Sequence, residues 1–348
     1  MSETDLVKRF AQNPILSPKD IRPSIPGMKV ECLLNPGVFR FKGRIWLLLR
    51  VAERPEQKPG KTTFPILDHG AVKIREFENT DPRLDLSDPR VVTFAGEDYL
   101  TTLSHLRLVS SEDGIHFREE PGYPPLTGQG PLEAYGIEDC RVARIGAKYY
   151  LTYTQVSSNG VGVGLRSTDD WKDIQQHGMM LAPHNKDCAL FEEQIAGKYQ
   201  ALHRPSSPEI GGNYLWIAES PDLLHWGNHR CIAHTRAGSW DSARVGAGAP
   251  PIRTPAGWLE IYHGADEKHR YCLGALLLDL QQPWKVLARS KTPILEPTAP
   301  YECSGFFGQV VFTNGHFVDG DQITMYYGAS DSVICGARLS IAQILKSL

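Results

Sequence analysis

One unit recurs along the chain: a glycine-containing turn followed by a short strand rich in aromatic or β-branched residues. It reads FKGRIWLLLRVAE, FAGEDYLTTLSHLRL, RIGAKYYLTYTQ, IAGKYQALHRP, PAGWLEIYHGA and VDGDQITMYYGASD, with turn glycines at Gly43, Gly96, Gly146, Gly197, Gly257 and Gly320. The interval is about 50 to 60 residues. A tight hairpin needs a residue that accepts positive φ, which glycine does without steric penalty. Between these units stand SSEDGIHF, STDDWKD and SPDLLHW, each a polar turn ahead of an outer strand. Strands at this spacing predict an all-β fold built as a radial array of four-stranded sheets, a β-propeller. A two-sheet sandwich is the alternative, and it leaves the internal period unexplained. Helical periodicity is confined to a short N-terminal stretch and to ARLSIAQILKSL at the end. Length alone would suggest about two domains. The uninterrupted repeat instead predicts a single domain over residues 1–348.

Composition narrows the function classes. The 37 Lys and Arg against 40 Asp and Glu leave a net charge of −3, so no basic excess is available for a phosphate backbone and nucleic acid is not the expected partner. No run of about 18 apolar residues predicts a membrane span. The opening MSETDLVKRFAQNP mixes charges and lacks an apolar core, so no signal peptide is expected. Seven cysteines without a CxxC pair fit scattered reduced thiols in a cytoplasmic protein. The twelve histidines form no ligand pattern, so no metal is expected. GVGVGLRS lacks the strand–turn–helix setting of a dinucleotide loop and reads as a closely packed strand. SPEIGGN, residues 207–213, reads as a surface loop at the rim of a site.

The repeat also locates a site. Six to eight residues after each turn glycine the strand ends in a polar group: Arg50, Ser104, Thr154, Arg204, His263 and Tyr327. One polar strand end is explained by water. A ring of six, with two arginines and a histidine, predicts a ligand pocket at the mouth of the central channel.

Seven stretches taken together, GIEDCRV, NKDCALF, ALHRP, WDSARVGAGAPPI, IYHGADEKHRYCLGALLLDL, YECSGFFGQVVF and YYGASD, resemble the ordered motif set of glycoside hydrolase family 130. LLLRVAERP and LSHLRLVSSEDGIHF resemble the branch acting on β-1,2-linked mannose. The resemblance implies a five-bladed propeller that phosphorolyses β-mannosides with inversion, giving α-mannose 1-phosphate and a shortened acceptor. Six hairpins against five blades suggest that one hairpin lies across a blade closure. Two rival functions are an inverting β-mannosidase on the same fold and a non-catalytic sugar-binding propeller. The implied partners are a β-mannoside and inorganic phosphate, the latter a substrate, so no cofactor is implied. Relatives are often homo-oligomers, and the sequence does not address this.

By position the resemblance makes Asp139 the proton donor, with Cys140 standing where the family usually has proline. Breaking a glycosidic bond needs a proton on the leaving oxygen. Glu138 would raise the Asp139 pKa and Arg141 would lower it, so residue identity alone does not set the net direction. Hydrolysis by inversion needs a second carboxylate roughly 6.5 to 9.5 Å away to activate water. Phosphorolysis needs cations instead. The resemblance places Lys186, Arg204, Arg244, His263 and Tyr271 in the phosphate pocket. Read apart from it, Asp241 or Glu267 would be the base should the enzyme hydrolyse. Sugar recognition falls to Asp331 and to Asn35, Arg50, Ser104, His105, Arg107, Glu138 and Arg141, with Trp240 or Tyr135 as a stacking platform.

Overall fold

The computed structural model describes residues 6–88, 91–206 and 210–348. Five sheets follow one another, each led by the strand that carries the site. The first runs through Met28–Phe41, Arg44–Pro55, Leu103–Ser111 and Arg118–Glu119. The second holds Ile137–Ile145, Lys148–Ser157, Gly160–Thr168 and Gln175–Leu181, and the third Asn185–Leu190, Tyr199–Pro205, Leu215–Ser220 and Gly227–Ala233. Arg244–Gly246, Gly257–Ala265, Tyr271–Leu278 and Val286–Arg289 form the fourth, with Ile252–Thr254 paired to Gly257–Ala265. The fifth joins Val311–Asp319, Gln322–Ala329 and Val333–Ser340 to the N-terminal strand Val7–Arg9. Among the described residues the strands within each sheet pair antiparallel, and no sheet closes on itself. The architecture is nearly all-β.

The polar turns behave as the sequence predicts. Ser111, Thr168 and Ser220 each accept a backbone N–H three residues on. Asp113, Asp170 and Asp222 each accept two more, fixing the turn before the outer strand. Gly160–Thr168 is a strand whose glycines admit neighbours: a side chain at Gly164 would meet the Tyr153 ring at 2.5 Å.

Two expectations need correction. The extra hairpin, second in the series, crosses no closure. Its Gly96 turn joins Val91–Phe94 to Glu97–Leu100 in a small three-stranded sheet. Together with the hairpin Lys61–Asp68/Ala71–Glu78, that sheet is an insertion between the second and third strands of the first sheet. The N-terminal stretch also forms no α-helix where it is described, only a single 3-10 turn at Pro18–Asp20. Val7–Arg9 pairs with Val333–Ser340, because completing a sheet edge satisfies more backbone groups than one exposed helical turn. Arg9 then reaches the buried Glu302 at 2.8 Å, a carboxylate that also accepts from Tyr327 at 2.8 Å. The C-terminal helix forms at Ile341–Ser347, capped by the Ser340 hydroxyl. Of the stretch 207–213, residues 207–209 lie outside the described residues, and Ile210 is exposed.

The leading strands pack on one another. A side chain at Gly37 would meet the Cys140 carbonyl at 2.9 Å, one at Gly248 the Thr313 carbonyl at 3.3 Å, and one at Gly315 the Val38 nitrogen at 2.4 Å. Asn314 donates to the Asn35 carbonyl at 3.0 Å, tying the fifth leading strand to the first.

Candidate active site

Three of the leading strands break register at the same place. Between the pairs Leu34–Arg50 and Gly37–Leu48, Asn35 and Pro36 oppose Leu49 alone. Asp139 and Cys140 oppose Tyr153 in the second sheet, and Asp187 and Cys188 oppose His203 in the third. Each is a β-bulge, whose extra residue re-aims a side chain. Asn35, Asp139 and Asp187 take positive φ, at 26°, 48° and 53°. Asn and Asp tolerate that conformation better than other non-glycine residues. The bulges therefore turn three short polar side chains into one cavity.

That cavity measures about 460 Å³ and is also lined by Arg50, Lys186, Arg204, Arg244, Tyr271 and Asp331. Its apolar wall is Leu34, Val310, Phe307 and Phe312, with His269 beside them. Oδ1 of Asp139 accepts from Asn35 at 3.2 Å and from Arg50 at 3.1 Å. Arg50 also donates to Glu138 at 2.7 Å and to the Ser104 hydroxyl at 3.1 Å. Burial pushes the Asp139 carboxyl up, but Arg50 and Arg141 outweigh it and hold the group below its ordinary range. Asp331 goes the other way. Burial first, then Asp139 and Glu138, push it up to about 6 against the pull of Arg50.

Opposite stands a cluster of cations. Arg204 donates to Asp187 at 2.7 Å and to Asn213 at 2.7 Å. Arg244 donates to the Tyr271 hydroxyl at 2.7 Å and stacks its guanidinium over that ring. Lys186 sits across the strand pair from Arg204. Such an arrangement suits a multiply charged oxyanion.

Of the residues expected from the sequence, the cavity brings together Asp139, Lys186, Arg204, Arg244, Tyr271, Asn35, Arg50 and Asp331. The remainder stand elsewhere. His263 is fully buried behind Asp187, its Nε2 3.3 Å from the carboxylate without hydrogen-bond geometry, and its ring lies on Phe312. Ser104 and Glu138 hold Arg50 from outside the lining. Arg141 is 1% exposed and braces the site from beneath, donating to the carbonyls of Asp139, Ala247 and Gly248 and to Asp187. His105 is corrected: strand alternation turns it to the far face of the sheet, where it is buried 3.4 Å from Glu53. Arg107 lies farther along the same face, bonded to the Arg22 carbonyl and to Glu119. Thr154 and Tyr327, two members of the ring of strand ends, are buried outside the lining. Trp240 packs over Gly264 and Gly274, and Tyr135 lines a separate cavity beside the insertion. Asp241 is sealed between Arg236 and Arg289, and Glu267 is exposed outside the lining. Among the described residues no group of three or more metal-ligating side chains gathers.

Asp187, Phe307, Phe312 and His269 were not expected. A signal for Asp187 was present: the dipeptide Asp-Cys occurs twice, once in the bulge of the second sheet and once in that of the third.

The glycoside hydrolase family 130 model, described as β-1,4-mannooligosaccharide phosphorylase, matches residues 88–348. A β-1,2-mannobiose phosphorylase of Listeria innocua is 43% identical over 351 residues, covering 98% of each chain. A 1,2-β-oligomannan phosphorylase of a Thermoanaerobacter species is 42% identical over 252 residues, covering 70% of this chain and 80% of that one. The solved structure of β-1,2-mannobiose phosphorylase from Listeria innocua in complex with β-1,2-mannobiose superposes with a TM-score of 0.91 at 42% identity, covering 98% of this chain and 99% of the other. With its aspartate-bearing bulges facing a wall of cations, the chain belongs to glycoside hydrolase family 130.

Proposed function

We infer that this protein is a glycosyl-transferring enzyme that phosphorolyses β-1,2-linked mannobiose or oligomannosides. Identity to one named phosphorylase across 98% of the chain, and to a second across 70% of it, supports this reading. The observation that carries it is the placement of Lys186, Arg204 and Arg244 in the same cavity as Asp139. An acid facing a neutral wall would serve a hydrolase equally well. An acid facing three cations has a place for an anionic nucleophile.

In this reading phosphate binds between Arg204, Arg244, Lys186 and the Tyr271 hydroxyl. One of its oxygens attacks the anomeric carbon as the glycosidic C–O bond breaks on the opposite face, so the configuration inverts. The proton from Asp139 goes to the leaving oxygen, by way of the 3-hydroxyl of the mannose at the cleavage point as the family resemblance implies. The products are α-mannose 1-phosphate and a shortened acceptor, and the reverse step extends an acceptor. Asp139 is ionised in the free site because Arg50 and Arg141 favour the carboxylate. Arrival of a hydrogen phosphate dianion raises its proton affinity, since a like charge disfavours the ionised form. Asp139 thus takes up from solvent the proton that it delivers, and the proton that hydrogen phosphate sheds on attack returns to solvent. Asp331 and Asn35 are assigned to sugar hydroxyls, and Phe307 forms part of the apolar wall the saccharide meets. Phosphate is consumed as a substrate, and the mechanism calls for no metal or organic cofactor.

The elevated Asp331 favours a second reading in which Asp331, protonated near pH 6, is the donor. The two readings give opposite pH dependences. If ionised Asp331 grips hydroxyls, kcat/KM falls as pH drops through about 6. If protonated Asp331 donates, kcat/KM falls as pH rises through the same value.

We also propose that the five sheets stand radially as blades of one propeller. Support comes from the consecutive packing of their leading strands, the return contact from the fifth to the first, and the N-terminal strand that completes the fifth sheet. Incubating enzyme and β-1,2-mannobiose with and without phosphate tests the reaction: cleavage that persists unchanged without phosphate rules it out.

A further inference from the structure

Asp187 poses an electrostatic problem. It is 2% exposed, yet it lines the cavity from within the cation cluster. Its Oδ1 accepts from Arg141 at 3.3 Å and its Oδ2 from Arg204 at 2.7 Å. The same Oδ2 lies 3.3 Å from His263, and a side chain at Gly246 would meet it at 2.7 Å. The cations hold this carboxyl well below its ordinary range, although burial pushes the other way, so it is an anion throughout the neutral range. A fixed negative charge beneath an anion site weakens that site.

Orienting Arg204 does not require a charge. On the other side of the same guanidinium, Asn213 Oδ1 accepts at 2.7 Å as a neutral amide, and its backbone pairs with Arg244. One arginine thus carries both solutions: a neutral acceptor on its outer side and a charged one on its buried side.

We propose that Asp187 is a charge-balancing carboxylate that sets how tightly the cations hold phosphate, so that phosphate and the sugar phosphate product exchange rather than stay trapped. The inference rests on the phosphorolytic reading above. A reversible phosphorolysis must release one anion in each direction, and four guanidinium or ammonium groups (Arg141, Lys186, Arg204 and Arg244) without a counter-charge would favour retention. Asp187 acts through Arg204 and Arg141 and is a positioning residue with an electrostatic consequence.

The test uses two opposite charge changes in the full-length protein, read by calorimetry with inorganic phosphate alone and by kcat and phosphate KM. Asp187→Asn is expected to tighten phosphate binding by about tenfold or more while lowering kcat. Asn213→Asp adds a carboxylate to the same guanidinium and is expected to weaken phosphate binding by about tenfold or more, with the thermal midpoint unchanged. A residue that only positioned Arg204 would give the reverse for Asp187→Asn: weaker phosphate binding, and no effect from Asn213→Asp. Either of those results in folded protein overturns the proposal. Should Asp187→Asn fail to fold, Asn213→Asp decides alone, weaker binding supporting the proposal and unchanged binding overturning it. A wild-type protein that binds no phosphate overturns the phosphorolytic reading itself, an outcome distinct from either variant's failure.

Discussion

Asp139 and Asp187 occupy the same position in consecutive sheets, each the first residue of a two-residue bulge, each followed by a buried cysteine, each at positive φ. Their surroundings differ. The Asp139 side chain keeps 15% of its surface open, and Asn35 and Arg50 both donate to its Oδ1. Asp187 is sealed, with Arg141 on one oxygen and Arg204 and His263 on the other. Identical backbone geometry thus leaves one carboxylate partly open to the cavity and buries the other among cations. The bulge supplies direction, while the neighbouring side chains set the electrostatic surroundings of each carboxylate. The residue ahead of each bulge reinforces the split, with Glu138 adding negative charge beside Asp139 and Lys186 adding positive charge beside Asp187.

The widest separation between the two should come from Asp139→Asn. Turnover is expected to fall by about 10³-fold or more, with β-1,2-mannobiose binding retained by calorimetry. Retained turnover would mean that Asp139 is not the donor and that the comparison misassigns the pair.

On the cation side, Arg244→Ala should raise the phosphate KM by about 10- to 100-fold and leave the saccharide KM nearly unchanged, because a charge-assisted bond is lost on the anion alone. Equal increases in both constants would place Arg244 on the sugar. A pH profile adds a third contrast. Wild-type kcat/KM should decline on the acid side as Asp331 protonates through about 6, and Asp331→Asn should remove that limb at a lower plateau. A decline on the alkaline side that vanishes in the variant would make Asp331 the acid.

The mildest change sharpens the geometry. In the first sheet the second bulge position is Pro36, so the molecule already contains the proline version of the Asp139–Cys140 turn. Cys140→Pro is therefore expected to shift stability by no more than about 1 kcal/mol and to leave kcat nearly unchanged, measured by chemical denaturation and initial rates. A large loss would show that the two bulges are not equivalent.

Much of this was legible before the structure. The glycine turns marked five of the second strands, and Arg50 and Arg204, read as strand ends, do line the cavity. The Gly96 turn misled because a hairpin in an insertion has the same local chemistry as one in a main sheet. His105 and Arg107 misled because alternation along Leu103–Ser111 sends both to the face opposite Ser104. Asp187 escaped notice because its neighbour Lys186 has the more obvious charge, and a bulge leaves no composition signal beyond an Asx residue before a small one. The burial of His263 behind Asp187 depends on packing between the third and fourth sheets, which no local pattern records.

The most direct measurement of the central claim is the phosphate dependence of β-1,2-mannobiose cleavage, followed by phosphorus and proton NMR. The account predicts no cleavage without phosphate and, with it, stoichiometric α-mannose 1-phosphate and mannose. Mannose as the sole product, formed at the same rate in phosphate-free buffer, would contradict it.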